Sequence, residues 1–330
     1  MTAVAPSTTP LTVLGPDHLV PAEQPTIYFL GVSTGSSSIQ RVFPVWAAEL
    51  GLGQAVLRGI DLPVGAPAAD ARRIVEFLAA DPLAAGMQIT SHKVAVAEAA
   101  GDLFAARRPL ATLMEEISCV TKEADGLHGF AKDPVAGELA LDAIVPADHW
   151  QRTGANAVLL GAGGAGTALA WCLARQERGA RRPASLVVTD TSERRLSHLA
   201  EIVRQVGGDL PLRLVHVTST DDTDRVLAEQ PAGTLVVNAT GLGKDLPGSP
   251  IGADAVLPEQ AIAWDLNYRG DLEFLGTAGM QPEERGVRIE DGWTYFVHGW
   301  LQAVKEVFRV DVPTSGPGFD RLSELAREAR

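Results

Sequence analysis

Cysteine is nearly absent: Cys119 and Cys172 are the only two in 330 residues, and neither belongs to a CxxC pair. That excludes a disulfide framework and fits a reducing compartment. The seven histidines are scattered without HExxH or His-x-His spacing, so no metal site is expected. Positive charge is in deficit as well. Lys and Arg number 28 against 41 Asp and Glu, a net charge of −13, which argues against nucleic acid or an anionic membrane surface as partner. Residues 155–174 are uncharged over a helix length, but four central glycines point away from a membrane span. The N-terminus has no basic stretch ahead of an apolar run and reads as a flexible Pro/Thr-rich lead, not a secretion signal, so the cytoplasm is the expected location.

What is present is ordinary globular composition, 46% hydrophobic and 21% charged. At roughly 150 residues per domain the length suits two domains. PTIYFLGVS, AVLRGIDLP and GMQIT read as strands. Between them, FPVWAAELGLG reads as a helix stopped by glycines, and DARRIVEFLAAD as an amphipathic helix with Ile74, Phe77 and Leu78 on one face. This alternation predicts a mostly parallel sheet with helices on both faces. The polar PADHWQRTG stretch at 146–154 suggests a domain boundary. Beyond it, NAVLLGAG, SLVVTD, LRLVHV, TLVVNAT and AIAWDLNY supply the strands of a second α/β domain. The layout expected is a lead over 1–24, a substrate domain over 25–150 and a Rossmann-type dinucleotide-binding domain over 151–290. Helices over 291–330 would pack back on the substrate domain, leaving the active site between the two domains.

Gly161-Ala162-Gly163-Gly164-Ala165-Gly166 is a GxGxxG placed between a predicted strand and a predicted helix. There the first glycine permits a tight turn, the second admits a pyrophosphate, and the third lets helix and strand pack closely. The helix N-terminus offers N–H groups to phosphate. Asp190 ends the next predicted strand, where a carboxylate accepts from the ribose hydroxyls of NAD and repels the 2′-phosphate of NADP. Alternatively, Asp190 caps the helix starting at Thr191. Arg194 and Arg195 stand near enough to help a phosphate. NAD is expected ahead of NADP.

The order of motifs resembles the shikimate/quinate dehydrogenase family over nearly the whole chain. Ser36-Ser37-Ser38 is similar to its carboxylate-binding S-x-S, and Gln88-Ile89-Thr90-Ser91-His92-Lys93 to a shortened N-V-T-x-P-x-K. The resemblance makes Lys93 the catalytic lysine. Gly129-Phe130-Ala131-Lys132-Asp133 resembles G-x-N-T-D and makes Asp133 its carboxylate partner, while Ser118 falls at the asparagine of A-V-N-T-V. Thr189-Asp190-Thr191-Ser192-Glu193-Arg194 stands where NADP-dependent members carry N-R-T-x-x-R, so the phosphate-gripping arginine is Asp190 here. Asn238-Ala239-Thr240-Gly241-Leu242-Gly243 resembles a segment lining the cofactor. Asp265-Leu266-Asn267-Tyr268 resembles one bringing a tyrosine near the substrate.

The departures lie on the substrate side. The family's asparagine and threonine in G-x-N-T-D are Ala131 and Lys132, and the proline before the lysine is missing. The C-terminal glutamine falls near Gly299, with Gln302 about one helical turn later. The resemblance implies a secondary alcohol–ketone oxidoreductase using NAD(P), with Lys93 and Asp133 handling the proton. Its substrate would be a cyclic hydroxy acid or polyol held by Ser36, Ser38, Thr90, Ser118, Tyr268 and Gln302. A homodimer is compatible with this reading. From another class, the chain is a catalytically silent sensor of a ring metabolite or NAD, a reading favoured by Ala131 and the lost proline. His92 and His298 read as cleft or packing residues, and Trp293, Trp300 and Phe308 as helix core.

Overall fold

The computed structural model describes residues 13–244 and 246–330. Its contacts divide the chain into two compact units: one ends its first stretch at Ala131 and resumes with Ala303–Arg330, and the other is Lys132–Gln302.

The first unit carries strands β1 (Thr26–Gly31), β2 (Val56–Asp61), β3 (Ala84–Ile89), β4 (Phe104–Arg107), β5 (Cys119–Glu123) and β6 (Gly126–Phe130). They form one sheet in the order β2-β1-β3-β5-β6-β4. β1 is buried at every position, as its unbroken apolar run predicts for a strand covered on both faces. Only β5 runs against its neighbours, so the sheet is mostly parallel. The β5–β6 hairpin escaped the strand reading. Its signal is Asp125-Gly126, with Gly126 at φ +134°.

Helices α1 (Ile39–Glu49), α2 (Ala68–Ala80), α3 (Lys93–Ala99) and α4 (Pro109–Leu113) complete this stretch. α2 buries Ala71, Ile74, Val75 and Leu78 in a cluster with Tyr28, Leu30 and Met87. Of the lead expected over 1–24, residues 1–12 lie outside the described residues. Residues 13–24 bond to the first unit at Leu14 and Ala22. The Leu14 N–H donates to the Gly59 carbonyl at 3.0 Å, and the Ala22 N–H donates to Asp81 at 3.0 Å.

The second unit comprises α5 (Asp133–Ile144), α6 (His149–Thr153), β7 (Ala157–Leu160), α7 (Gly164–Ala174), β8 (Leu186–Asp190), α8 (Glu193–Val206), β9 (Leu212–His216), α9 (Thr220–Ala228), β10 (Leu235–Asn238), β11 (Ile262–Asp265), α10 (Glu273–Gly279) and β12 (Arg288–Glu290). Its sheet, β12-β11-β10-β7-β8-β9, is wholly parallel. The chain builds outward from β7 in one direction and then returns to build from β10 in the other. This strand order opens a crevice beyond the carboxyl ends of β7 and β10.

The uncharged stretch 155–174 thus holds β7, the glycine turn and α7, whose residues from Gly166 to Ala174 are buried in protein. Among the described residues, no helix is long and apolar enough to cross a membrane. The unit begins ahead of the polar 146–154 stretch because α5 packs on α7. Cys172 Sγ reaches the Pro134 carbonyl at 3.1 Å, a Cβ on Gly137 would stand 3.2 Å from Leu169, and Arg178 bridges Glu138 and Asp142.

Two helices close the chain, α11 (Trp293–Phe308) and α12 (Gly316–Glu328). Within the first unit α12 lies on α1, where the fully buried Trp46 donates its indole N–H to the Leu322 carbonyl at 2.8 Å. Val307 of α11 presses on bare Gly86, 2.8 Å from where a Cβ would be.

Candidate active site

In the second unit the glycine turn shows a distinct reason for each glycine. Gly161 sits at φ +107°, and a Cβ there would stand 2.9 Å from the Ala239 carbonyl. A Cβ on Gly166 would stand 2.0 Å from the Gly161 oxygen. Both positions are therefore closed by protein. Gly163 differs, because nothing lies within 4 Å of its would-be Cβ and its backbone is extended. It is the residue just before α7, whose first turn, beginning with Gly164 and Ala165, has N–H groups with no intrahelical acceptor. An open space beside a helix N-terminus is the cradle a pyrophosphate requires.

Asp190, at the tip of β8, is 7% exposed and joins this turn to the start of α8. One carboxylate oxygen accepts from the Ala162 N–H at 2.7 Å. The other accepts from the Ser192 N–H at 2.8 Å and from the Arg195 guanidinium at 2.7 Å. Ser192 is the cap of α8, accepting from the Arg195 N–H at 3.4 Å, so Asp190 is not the cap. Thr191 and Arg194 are exposed, and the arginine on Asp190 is Arg195.

At the carboxyl end of β10, buried Asn238 accepts from the Thr240 N–H at 3.1 Å and donates to Asp265 at 3.0 Å. Ala239 closes over the glycine turn, followed by Thr240 and Gly241, the latter at φ +79°. Asp265 is fully buried, and desolvation pushes its carboxyl up to about 6. The motif spacing does not point to Asp265 and Asn267, because their contacts form only between strand ends. Tyr268 is buried in an aromatic group with Trp293 at 5.4 Å and Phe296 at 4.4 Å between ring centres. His298 is buried on α11, and burial pulls its imidazole down to about 4. Gln302 is buried too, while no atom lies within 4 Å of a would-be Cβ on Gly299.

The first unit gathers its polar residues at the carboxyl ends of β1 and β3. The Thr34 N–H and hydroxyl both donate to Asp61, at 2.7 and 2.6 Å. Bare Gly31 makes room for Thr90 and Thr34, whose atoms lie 3.0 and 3.3 Å from its would-be Cβ. Ser36 is exposed with its hydroxyl on the Ser33 carbonyl at 3.1 Å, and Ser38 is buried at the start of α1. Backbone bonds tie the remaining candidates to the same end. The Thr90 N–H donates to Leu30, the Ile117 N–H to Lys93, the Ile89 N–H to Ser118 and the Ser118 N–H to Phe130, at 2.7 to 3.1 Å.

Lys93 opens α3. His92 just before it must carry its proton on Nε2, since that atom meets the Leu62 carbonyl at 2.7 Å; burial lowers its pKa. Gln88, two residues before Thr90 and on the same sheet face, is buried. Asp133 is the first residue of α5, 7% exposed, and falls in the second unit, as do Tyr268 and Gln302. Among the described residues no group of His, Cys, Asp and Glu could hold a metal ion.

The class these features define is a two-domain α/β protein, one domain Rossmann-like and the other a mixed, mostly parallel sheet. No family model matches the chain. It is 28% identical over 306 residues to a shikimate dehydrogenase (NADP(+)) of Methylocella silvestris, covering 92% of this chain and 97% of that one. A shikimate dehydrogenase (NADP(+)) of an Anaeromyxobacter species is 31% identical over 149 residues, 45% of this chain and 47% of its own. Shikimate 5-dehydrogenase from Thermus thermophilus, solved with shikimate, superposes at TM-score 0.65 with 25% identity, covering 92% of this chain and 98% of that one. Quinate dehydrogenase from Corynebacterium glutamicum, solved with NAD, shares the fold at TM-score 0.66 and 20% identity, covering 92% of this chain and 99% of that one. In sequence and fold, then, the protein is similar to shikimate dehydrogenases along nearly its whole length, and in fold to a quinate dehydrogenase.

Proposed function

We propose that the protein is an oxidoreductase of the shikimate/quinate dehydrogenase type, interconverting a secondary alcohol and a ketone on a cyclic hydroxy acid or polyol with NAD(P). The observation that carries this reading is the open cradle at Gly163 between two glycines that the protein itself closes, at the switch point of a parallel sheet. NAD is the expected cofactor, ahead of NADP. What supports NAD is a carboxylate, Asp190, at the position where a ribose 2′-hydroxyl would donate, while Arg195 on that carboxylate is the group that would meet the 2′-phosphate of NADP. Thr191, Arg194 and residues 238–241 complete that wall.

The bound nicotinamide supplies the hydride acceptor. The chain's own residues do the rest. Ser36 and Ser38 hold the ring carboxylate through neutral hydroxyls, and Thr90, Ser118, Tyr268 and Gln302 meet the ring hydroxyls. Lys93, as the neutral amine, takes the carbinol proton during oxidation and, as the ammonium so formed, returns it during reduction, and the family resemblance makes Asp133 its carboxylate partner. The open space at Gly299 and the small Ala131 favour a ring with substituents other than those of shikimate.

The test is oxidation of shikimate, quinate and related ring alcohols with NAD⁺ and NADP⁺, wild type against Lys93→Ala. The expected loss in turnover is on the order of 10²- to 10⁴-fold, the usual contribution of a positioned acid–base group. Turnover of Lys93→Ala within a few-fold of wild type overturns the role of Lys93. Tight nucleotide binding without turnover of any ring alcohol moves the reading to the silent sensor.

A further inference from the structure

We infer that Asp265 is a positioning residue for the cofactor wall at 238–243, acting through Asn238 and Asn267. The inference rests on the dinucleotide reading of the glycine turn. Asp265 has no exposed surface and so touches no ligand itself. Ionised, it can only accept hydrogen bonds. One oxygen takes the Asn238 side-chain N–H at 3.0 Å and the other takes the Asn267 backbone N–H at 2.8 Å.

The Asn238 amide has one workable orientation. Its Oδ1 accepts from the Thr240 N–H at 3.1 Å and lies 2.7 Å from the Thr240 hydroxyl, so a flip would set N–H against N–H. The Asn267 side chain donates to the Leu242 carbonyl at 2.9 Å, and the Leu242 N–H donates to the Thr240 hydroxyl at 3.1 Å. Both Thr240 and Leu242 therefore hang from one buried carboxylate. Between Asn238 and Thr240 sits Ala239, the residue that closes over Gly161 and whose Cβ would stand 3.5 Å from one on Gly166. A carboxylate buried this deeply costs stability unless its partners need it, and here the partners are the loop that shapes the crevice.

The direction of every donor in this chain gives a test by polarity swap. Asp265→Asn cannot present acceptors to both Asn238 and Asn267, and Asn238→Asp sets two carboxylates about 3.0 Å apart. In the double variant Asp265→Asn with Asn238→Asp, the carboxylate at 238 accepts from Thr240 and from the new amide at 265. The oxygen of that amide accepts from Asn267, so the bonds joining Thr240, residue 238, residue 265 and Asn267 form again, and the one bond lost is the 3.4 Å donation from the residue-238 amide to the Leu242 carbonyl.

Dissociation constants for NAD⁺ and NADP⁺ are measured by calorimetry, with melting temperatures, above neutral pH. Each single variant is expected to bind at least about tenfold more weakly, and the double variant to return to within about threefold of wild type. A double variant as weak as Asp265→Asn, or single variants that bind like wild type, overturns the inference and leaves the dinucleotide reading standing. If a single variant fails to fold, the double variant decides alone: folding with near wild-type affinity supports the relay, and its failure overturns it. A wild-type protein that binds neither nucleotide overturns both readings.

Discussion

The carboxyl ends of the two sheets are built by different means. In the second unit the phosphate cradle of the candidate cofactor site is made of backbone: Gly161 and Gly166 pressed against neighbouring main chain, Gly163 left open, and the start of α7. In the first unit the candidate substrate site is made of side chains, with Ser36 and Ser38 following β1, Thr90 and Lys93 following β3, and Ser118 preceding β5. A backbone site admits few residue types at each position, because a single Cβ closes it. A side-chain site can change its specificity one hydroxyl or amide at a time without disturbing the fold. The resemblance puts the departures Ala131, Lys132 and Gly299 among the family's substrate contacts and Asp190 among its cofactor contacts.

The largest effects should separate the glycines of one turn. Gly166→Val would drive a side chain to about 2.0 Å from the Gly161 oxygen. Its expected cost is about 3 kcal/mol of stability, read as a lowered denaturation midpoint in urea. Gly163→Ala meets no atom within 4 Å and has a backbone that alanine adopts freely, so the melting temperature should hold. Its dinucleotide affinity should fall at least about tenfold, near 1.4 kcal/mol, because the methyl group enters the phosphate's space. Unchanged affinity in Gly163→Ala would mean that the open space serves no phosphate, and the contrast between the two sheet ends would lose its basis.

Legibility in the sequence follows the same division. Strands β7, β8, β10 and β11 and the glycine turn are read directly, because a buried parallel strand is a mostly apolar run and a glycine turn has fixed spacing, while the largely exposed edge strand β9 is read from the alternation in LRLVHV. β12 was hidden: Arg288–Glu290 is a three-residue edge strand with a charge at each end and no apolar pattern. The reversed β5 was missed because Cys119–Glu123 loses its apolar character halfway, although Asp125-Gly126 marks the turn after it. Asp190 could be read as a strand-tip carboxylate. That Arg195 pairs with it instead of Arg194 depends on the helical turn after Ser192, which motif matching does not resolve. The contacts of Asn267 and Asp265 join distant strand ends, for which spacing carries no signal.

A smaller effect probes how the first unit holds its C-terminal helix. Trp46→Phe keeps most of the buried aromatic area but removes the indole N–H from the Leu322 carbonyl, which then has lost its donor from α1. The expected loss is about 1 kcal/mol. Nucleotide affinity should be untouched, since no residue of the glycine turn takes part. A change in dinucleotide affinity in Trp46→Phe would show that the two sheet ends are energetically coupled, which their separate construction argues against.

The smallest effect in the wild type is its pH dependence on the acid side, where two buried groups of the second unit oppose each other. His298 has its pKa lowered by burial to about 4, so the unfolded chain takes up the proton first and stability is lost as pH falls from 6.5 toward 4. Asp265 has its pKa raised by burial to about 6, so the folded protein takes up the proton first and stability is gained as pH falls from about 6 toward 3.8. His149, also lowered by burial, adds to the first trend. Urea midpoints measured between pH 4 and 7 should therefore show a shallow slope in the wild type. His298→Gln should become relatively more stable than wild type as the pH falls, and Asp265→Asn relatively less. Parallel curves for His298→Gln and wild type would show that His298 does not resist protonation in the fold. The buried polar residues of this unit would then have to be divided again into those that pack and those, like Asp265, that hold the cofactor wall in place.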